Sequence, residues 1–202
     1  MKKENLFGMM AIALIMAAGC SNNNRNQNMT DSTMTMSDSA MTDSMSAGAN
    51  ATTAHADISG TKADTTGTGT ADFTKESDGT VQLSLKIHFP AMANKSVAVH
   101  IHEHGDCGDS GKMTHGHWNP THEQHGKWGS ASYHSGDIGN VQLDSKGDGE
   151  LTMKTNRWSI GGDSTTNVVG HGIIVHSGVD DYKSQPAGNA GSRIGCGVIT
   201  AM

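Results

Sequence analysis

The stretch VAVHIHEHGDC, residues 97–107, alternates apolar side chains with histidines. Successive side chains of a β-strand point to opposite faces of the sheet. We therefore expect the two valines and the isoleucine to share the core face of a strand, with His100 and His102 together on the other face. Two imidazoles on one strand face lie close enough to chelate a single metal ion.

The same alternation recurs between turns rich in Gly, Asp and Asn. The predicted strands are residues 58–63, 66–74, 80–88, 97–102, 138–143, 150–155, 172–176 and 194–200. Seven or eight short strands without a helical pattern predict an all-β sandwich or barrel, which we place in residues 57–202. Two stretches without strand pattern, residues 105–137 and 178–192, separate some of these strands. Loops of that length in a compact domain are usually functional.

The first twenty residues, MKKENLFGMMAIALIMAAGC, have the layout of a secretory signal. Lysines precede a short apolar run, which is followed by small residues and is too short to span a membrane. The end of this segment resembles the bacterial lipobox, although Ala17 stands where leucine is commonest. We expect a signal peptide over residues 1–19 and a lipid on Cys20. The alternative is an ordinary signal peptide with an incidental cysteine.

Residues 20–56 consist largely of Ser, Thr, Asn, Asp, Ala and Met. Such a composition cannot bury enough apolar surface to fold, so we expect a disordered tether between the lipid and the domain. The tether contains five methionines: Met29, Met34, Met36, Met41 and Met45. Thioethers suit Cu(I). A copper-gathering tether is therefore an alternative to the plain spacer that we favour.

Two cysteines remain once Cys20 is lipidated, Cys107 and Cys196. In an exported, oxidising compartment they allow one disulfide, and the alternative is a pair of buried free thiols. The net charge of −6 includes no concentrated basic stretch, which argues against nucleic-acid binding.

Twelve histidines occur in the chain, and most of them cluster around the first long loop. Six of them lie in that loop or directly before it: His104, His115, His117, His122, His125 and His134. Asp137 follows the last of these, and His176 ends the later apolar run IIVH. Imidazoles with one carboxylate and no thiolate suit Cu(II) or Zn(II) rather than calcium or magnesium.

Five motifs occur in order between residues 58 and 199: HIHEHGDC, GHWNP, HGKWG, HSGDIGN and GNAGSRIGCGVI. With these motifs the sequence closely resembles the copper/zinc superoxide dismutase family, and its short second loop resembles the bacterial branch. The resemblance implies an eight-stranded Greek-key β-barrel, related to the immunoglobulin-like sandwich, with the metal site outside the barrel under the two long loops. It also implies disproportionation of superoxide to O2 and H2O2 by Cu(II)/Cu(I) cycling beside a zinc-supported bridging histidine.

The resemblance further implies a role for each matching residue. The copper ligands would be His100, His102, His117 and His176. The zinc ligands would be His117, His125, His134 and Asp137, so that the imidazolate of His117 bridges both metals and takes part in catalysis. Asp180 would accept hydrogen bonds from one copper histidine and one zinc histidine. Arg193 would orient superoxide beside the copper.

Three of the remaining histidines lie close to the implied ligands in sequence. His115 and His122 could compete for metal, but His125 is preferred over His122 because its HG follows NP at the spacing of the family. His104 occupies a position that the family pattern HxHExGD leaves open, so we interpret it as a bystander.

Two other functions compete with the enzyme. A non-catalytic copper/zinc-binding lipoprotein would use the same ligands, but it has no need of the anion-orienting Arg193. A zinc hydrolase is disfavoured because His176 would complete a copper site with no protein-borne general base beside it. We expect an exported protein anchored by lipid to the bacterial cell envelope. The short second loop leaves open whether two copies pair as a homodimer.

Overall fold

A computed structural model of the chain describes residues 51–202. The predicted signal peptide, the predicted lipidation site Cys20 and nearly all of the predicted tether lie outside the described residues. None of the helices within residues 51–202 is long and apolar enough to cross a membrane.

The described residues form nine strands and two short 3-10 helices, with no α-helix among them. The strands are β1 (Thr53–Gly60), β2 (Thr68–Lys75), β3 (Val81–His88), β4 (Ser96–His102), β5 (Gly139–Gln142), β6 (Asp148–Thr155), β7 (Gly172–His176), β8 (Arg193–Val198) and β9 (Thr200–Ala201). The 3-10 helices are Pro90–Met92 and Lys112–Thr114. The all-β prediction is confirmed.

The strands pair in the order β5-β4-β7-β8-β1-β2-β3-β6, and the two-residue β9 adds to β1. The two ends of this order, β5 and β6, are consecutive in the chain. A tight turn joins them, in which the amide of Asp144 donates to the carbonyl of Asp148 at 2.8 Å. The sheet therefore nearly closes into a barrel. The neighbours β4–β7, β8–β1 and β3–β6 are not consecutive in the chain, and these crossings give the predicted Greek-key connectivity.

The first strand begins earlier than the sequence predicted. β1 starts at Thr53, where it pairs with Thr74 of β2, so the barrel begins before the boundary placed at residue 57. Its first inward side chains, Ala54 and Ala56, are fully buried. Alanine is depleted in strands and carries little hydrophobic signal. A strand prediction based on branched apolar residues therefore misses the alternation at the start of β1.

Strand β4 is buried on both of its faces. Val97, Val99 and Ile101 are 0% exposed and belong to the barrel core. Each such side chain stabilises the fold by roughly 1.5–3 kcal/mol when it is fully buried. On the opposite face His100 and His102 are 0% and 1% exposed, because the long loops cover them. The core thus fixes the direction of both imidazoles.

A disulfide joins Cys107 in the first long loop to Cys196 in β8. The predicted pairing is confirmed, and the alternative of two free thiols is wrong. The bridge fixes the start of the loop against the strand that also carries Arg193.

Candidate metal centre

Four histidines from three parts of the chain converge on one point above the barrel wall. His100 and His102 come from β4, His176 ends the neighbouring β7, and His117 comes from the first long loop. One ring nitrogen of each lies within 4.8 Å of the others, and all four residues are buried. A β-bridge between His102 and His117 holds the loop against the strand.

A second cluster lies beside the first, and His117 belongs to both. Its other members are His125, His134 and Asp137, all of them buried. The Oδ1 atom of Asp137 lies 2.8, 3.0 and 3.2 Å from the Nδ1 atoms of His117, His125 and His134. The structure thus brings together both implied ligand sets and joins them through one imidazole.

Four ring nitrogens of these clusters are buried without a hydrogen-bond partner: Nδ1 of His100, Nε2 of His117, Nδ1 of His125 and Nδ1 of His134. The last two lie close to Asp137 but are not aligned with it for a hydrogen bond. A buried polar atom left unpaired costs about 1–3 kcal/mol. Converging imidazole nitrogens with no other partner are suited to coordinating copper and zinc, so the residues fit these metals.

Asp180 connects the two clusters on the side away from these free nitrogens. The Nε2 atoms of His100 and His125 donate to its two carboxylate oxygens, each at 2.9 Å. The amide of Tyr182 adds a third hydrogen bond at 2.7 Å. These donors outweigh the effect of burial and hold the pKa of Asp180 well below its usual range. A carboxylate bonded in this way fixes the ring orientation of both histidines.

Backbone carbonyls orient the remaining histidines of the clusters. The bonds run from Nδ1 of His102 to the oxygen of His115 (2.9 Å), from Nε2 of His134 to that of Glu123 (3.1 Å), and from Nδ1 of His176 to that of Gly191 (3.3 Å). In each of these rings the opposite nitrogen is the one that belongs to the cluster.

Burial also determines the protonation of the first cluster. Loss of solvent lowers the pKa of His117 to about 4 and that of His176 to about 3, and it lowers the pKa of His102 as well. These rings are therefore neutral at pH 7, which is the form that binds metal. In the second cluster burial opposes the charge on His125, but the nearby carboxylates of Asp137 and Asp180 prevail and raise its pKa to about 9.

Arg193 at the start of β8 lies beside the first cluster. Its guanidinium donates to the carbonyl of Gly111, to Oγ1 of Thr114 at 2.9 Å and to the carbonyl of His115. Its charge adds to the effect of burial in lowering the pKa of His102. Three of its five N–H groups are thus bonded within the protein, and two remain for a ligand.

Two polar residues that support the clusters were missed in the sequence. Asn140 exchanges two hydrogen bonds with the backbone of Asp180, at 2.8 and 2.9 Å. Gln185 does the same with the backbone of His125, at 2.9 Å each, and so joins the two long loops. Asn140 is the last residue of the HSGDIGN motif, which gave it no separate role, and the sequence held no signal for Gln185.

A third missed residue, Arg157, fixes the loop of the second cluster. It lies between β6 and β7, in a connection that the sequence did not mark as functional. Its guanidinium bonds both carboxylate oxygens of Glu123, at 2.7 and 3.2 Å, and the carbonyl of Tyr133 at 3.0 Å. His122, the sequence competitor of His125, is exposed and belongs to neither cluster.

Comparisons with known proteins agree with this geometry. The family model described as copper/zinc superoxide dismutase (SODC) matches residues 67–199. Superoxide dismutase (Cu-Zn) 2 of Aquifex aeolicus is 36% identical over 140 residues, covering 65% of this chain and 78% of that protein. Superoxide dismutase (Cu-Zn) of Yarrowia lipolytica is 33% identical over 141 residues, covering 65% and 88%.

A solved structure titled as the clock protein EA4 is similar as well. It superposes with a TM-score of 0.65 at 30% identity, over 75% of this chain and 96% of that one. The matched family model spans β2 to β8 and therefore includes both histidine clusters, the disulfide and Arg193. The chain belongs to the copper/zinc superoxide dismutase family.

Proposed function

We propose that the two joined clusters are the site at which this chain disproportionates superoxide. Copper would be held by His100, His102, His117 and His176. Zinc would be held by His117, His125, His134 and Asp137. The observation that carries this proposal is the position of His117, whose Nδ1 contacts Asp137 while its Nε2 is buried in the other cluster without a partner.

Bound copper would supply one-electron chemistry, by which one superoxide is oxidised to O2 and the next is reduced, with uptake of two protons, to H2O2, and zinc would supply a fixed positive charge. The chain contributes neutral nitrogen ligands, because burial lowers the pKa of His117 and of His176 and keeps these two rings unprotonated at pH 7. The Nε2 atom of His117 is the one ring position of the shared residue that can carry a proton toward the substrate. Asp137 fixes this ring through its Nδ1.

Arg193 would attract and orient the superoxide anion. The total charge of −6 opposes an anion, so the attraction has to be local. Bonds to Gly111, Thr114 and His115 hold the guanidinium in place, and its two remaining N–H groups are available to the anion.

The deciding experiment measures superoxide consumption by the full chain loaded with copper and zinc. We expect catalysis by the wild type and a rate constant about tenfold lower for Arg193→Ala, at the lower end of the range for electrostatic steering. Arg193→Lys keeps the charge and should retain more activity than Arg193→Ala. Metal content is measured in each variant so that loss of metal is not mistaken for loss of steering. If the loaded wild type removed superoxide no faster than buffer, the enzymatic function would be refuted, and a non-catalytic metal-binding protein would be the remaining function.

We also propose that the protein is exported and anchored by lipid on Cys20 to a bacterial cell envelope. The disulfide supports export, since such bonds persist in oxidising compartments. A relative named extracellular superoxide dismutase, from Caenorhabditis elegans, is 32% identical over 137 residues. The signal-like residues 1–19 and the AAGC sequence support the anchor.

Expression of the full chain in a bacterium tests the anchor. Cys20→Ser should move the protein from the membrane fraction to the soluble fraction, and an unchanged distribution would refute the anchor.

A further inference from the structure

A third group of metal-ligating side chains lies outside the two buried clusters. It consists of Glu103, His104 and His115, all exposed, with one ligand atom of each within 4.8 Å of the others. The ring centroids of His104 and His115 are 4.5 Å apart, and the rings are perpendicular. Neither histidine is a ligand in the arrangement proposed above.

The backbone that carries these side chains is fixed on several sides. The amide of Glu103 donates to the carbonyl of Gly116 at 3.0 Å, and that of His104 donates to Thr114 at 3.2 Å. The carbonyl of His115 accepts hydrogen bonds from His102 and Arg193. The two segments are therefore held side by side before any ligand arrives.

The side chains themselves have no polar partner within residues 51–202, in contrast to two other histidines of the barrel. His55 and His88 each bond an aspartate, at 2.7 and 2.6 Å. No hydrogen bond or ion pair of the described residues involves the side chain of Glu103, His104 or His115. Within the described residues their ligand atoms have no other partner. Exposure lets the rotamers bring these atoms, which lie within 4.8 Å of one another, to the separation of about 3.4 Å that a tetrahedral ion with bonds of about 2.0–2.2 Å requires.

From this geometry we infer that Glu103, His104 and His115 bind a Zn(II) or Cu(II) ion at the surface, as a third metal site. Two imidazoles and one carboxylate are ligands that these ions prefer, whereas calcium and magnesium require mainly oxygen. Three protein ligands leave one tetrahedral position open to water. The site is independent of the proposed function, since it shares no ligand with the buried clusters.

The test is a titration with Zn(II) of the full chain already loaded with copper and zinc. Binding is measured by isothermal titration calorimetry or by equilibrium dialysis. We expect one further equivalent of Zn(II) to bind the wild type, and Mg(II) in excess not to compete. Removing one ligand should weaken binding at least about tenfold, since loss of even an outer partner of a metal ligand costs 10–100-fold. His104→Gln and His115→Asn are the two test variants.

His122→Asn is the matched control. Like His115, His122 is exposed and has a positive backbone φ, 55° against 61°. The His122→Asn variant should bind the further equivalent of Zn(II) as tightly as the wild type does. The third site would be overturned if the wild type bound no Zn(II) beyond the two buried metals. It would also be overturned if His104→Gln and His115→Asn bound the further Zn(II) as tightly as the wild type. Superoxide consumption by the same samples reports on the buried centre separately.

Discussion

Asp180 is a single side chain that bonds one histidine of each cluster. Both of its oxygens are occupied, one by a histidine of each cluster, and it is fully buried. Each imidazole is thereby held with Nε2 protonated and Nδ1 directed into its own cluster. Asn140 in turn fixes the backbone of Asp180.

Asp180→Asn is expected to lower the affinity for both metals by about 10–100-fold. An amide has one oxygen, so it accepts from one histidine and turns an N–H group toward the other. Competition with a chelator, monitored for copper and zinc separately, measures the effect. Asp163→Asn, at an exposed position outside both clusters, serves as the control. An Asp180→Asn protein that retains both metals as tightly as the wild type would refute this role.

At the scale of the elements, β1 and β2 carry a cross-strand pair that depends on pH. His55 lies opposite Asp72 in the antiparallel register, and its Nδ1 bonds the carboxylate at 2.7 Å. Hydrogen bonds to Asp72 and then to Asp57 raise the pKa of His55. The stabilisation is complete below the unfolded pKa of about 6.5 and is lost as the pH rises through the folded pKa.

His55→Gln should therefore reduce the free energy of unfolding more at pH 5.5 than at pH 9. The difference should be at most about 1 kcal/mol, as expected for a partly exposed pair. Denaturant unfolding of wild type and variant at the two pH values measures it. Asp72→Asn should reduce the free energy of unfolding with the same pH dependence, because it removes the main hydrogen-bond partner of His55. An equal cost of His55→Gln at both pH values would contradict the assignment.

The elements also show why sequence reasoning succeeded where it did. Alternation alone placed His100 and His102 on one face of β4, because strand geometry is local. Their convergence with His176 and His117 depends on barrel closure and on the path of the first long loop, and only the resemblance to a family indicated it. The supporting roles of Gln185 and Arg157 were not predicted, because their hydrogen-bond partners lie 60 and 34 residues away in the sequence, in loops without periodicity.

At the scale of the whole molecule, the disulfide joins the first long loop to the last part of the barrel. It closes a loop of 89 residues between Cys107 and Cys196. The same connection keeps the backbone of His115 close to Arg193, whose guanidinium bonds the carbonyl of that residue. The disulfide is therefore expected to contribute both to stability and to the position of Arg193.

The double variant Cys107→Ser, Cys196→Ser should lower the free energy of unfolding by about 4–5 kcal/mol, by the chain-entropy relation for a loop of this length. Denaturant unfolding of the metal-loaded variant measures the loss. Reduction of the wild type should reproduce it, and reductant should not affect the variant further. Equal stability of wild type and variant would show that the metals alone hold the loop in place.

The sharing of His117 between two metals is the central prediction, and X-ray diffraction from crystals of the loaded protein tests it directly. Anomalous differences collected on either side of the copper and zinc absorption edges identify each metal by position. We predict copper among His100, His102 and His176, zinc beside Asp137, and the ring of His117 between the two. A single metal position, or two metals without His117 between them, would contradict the account.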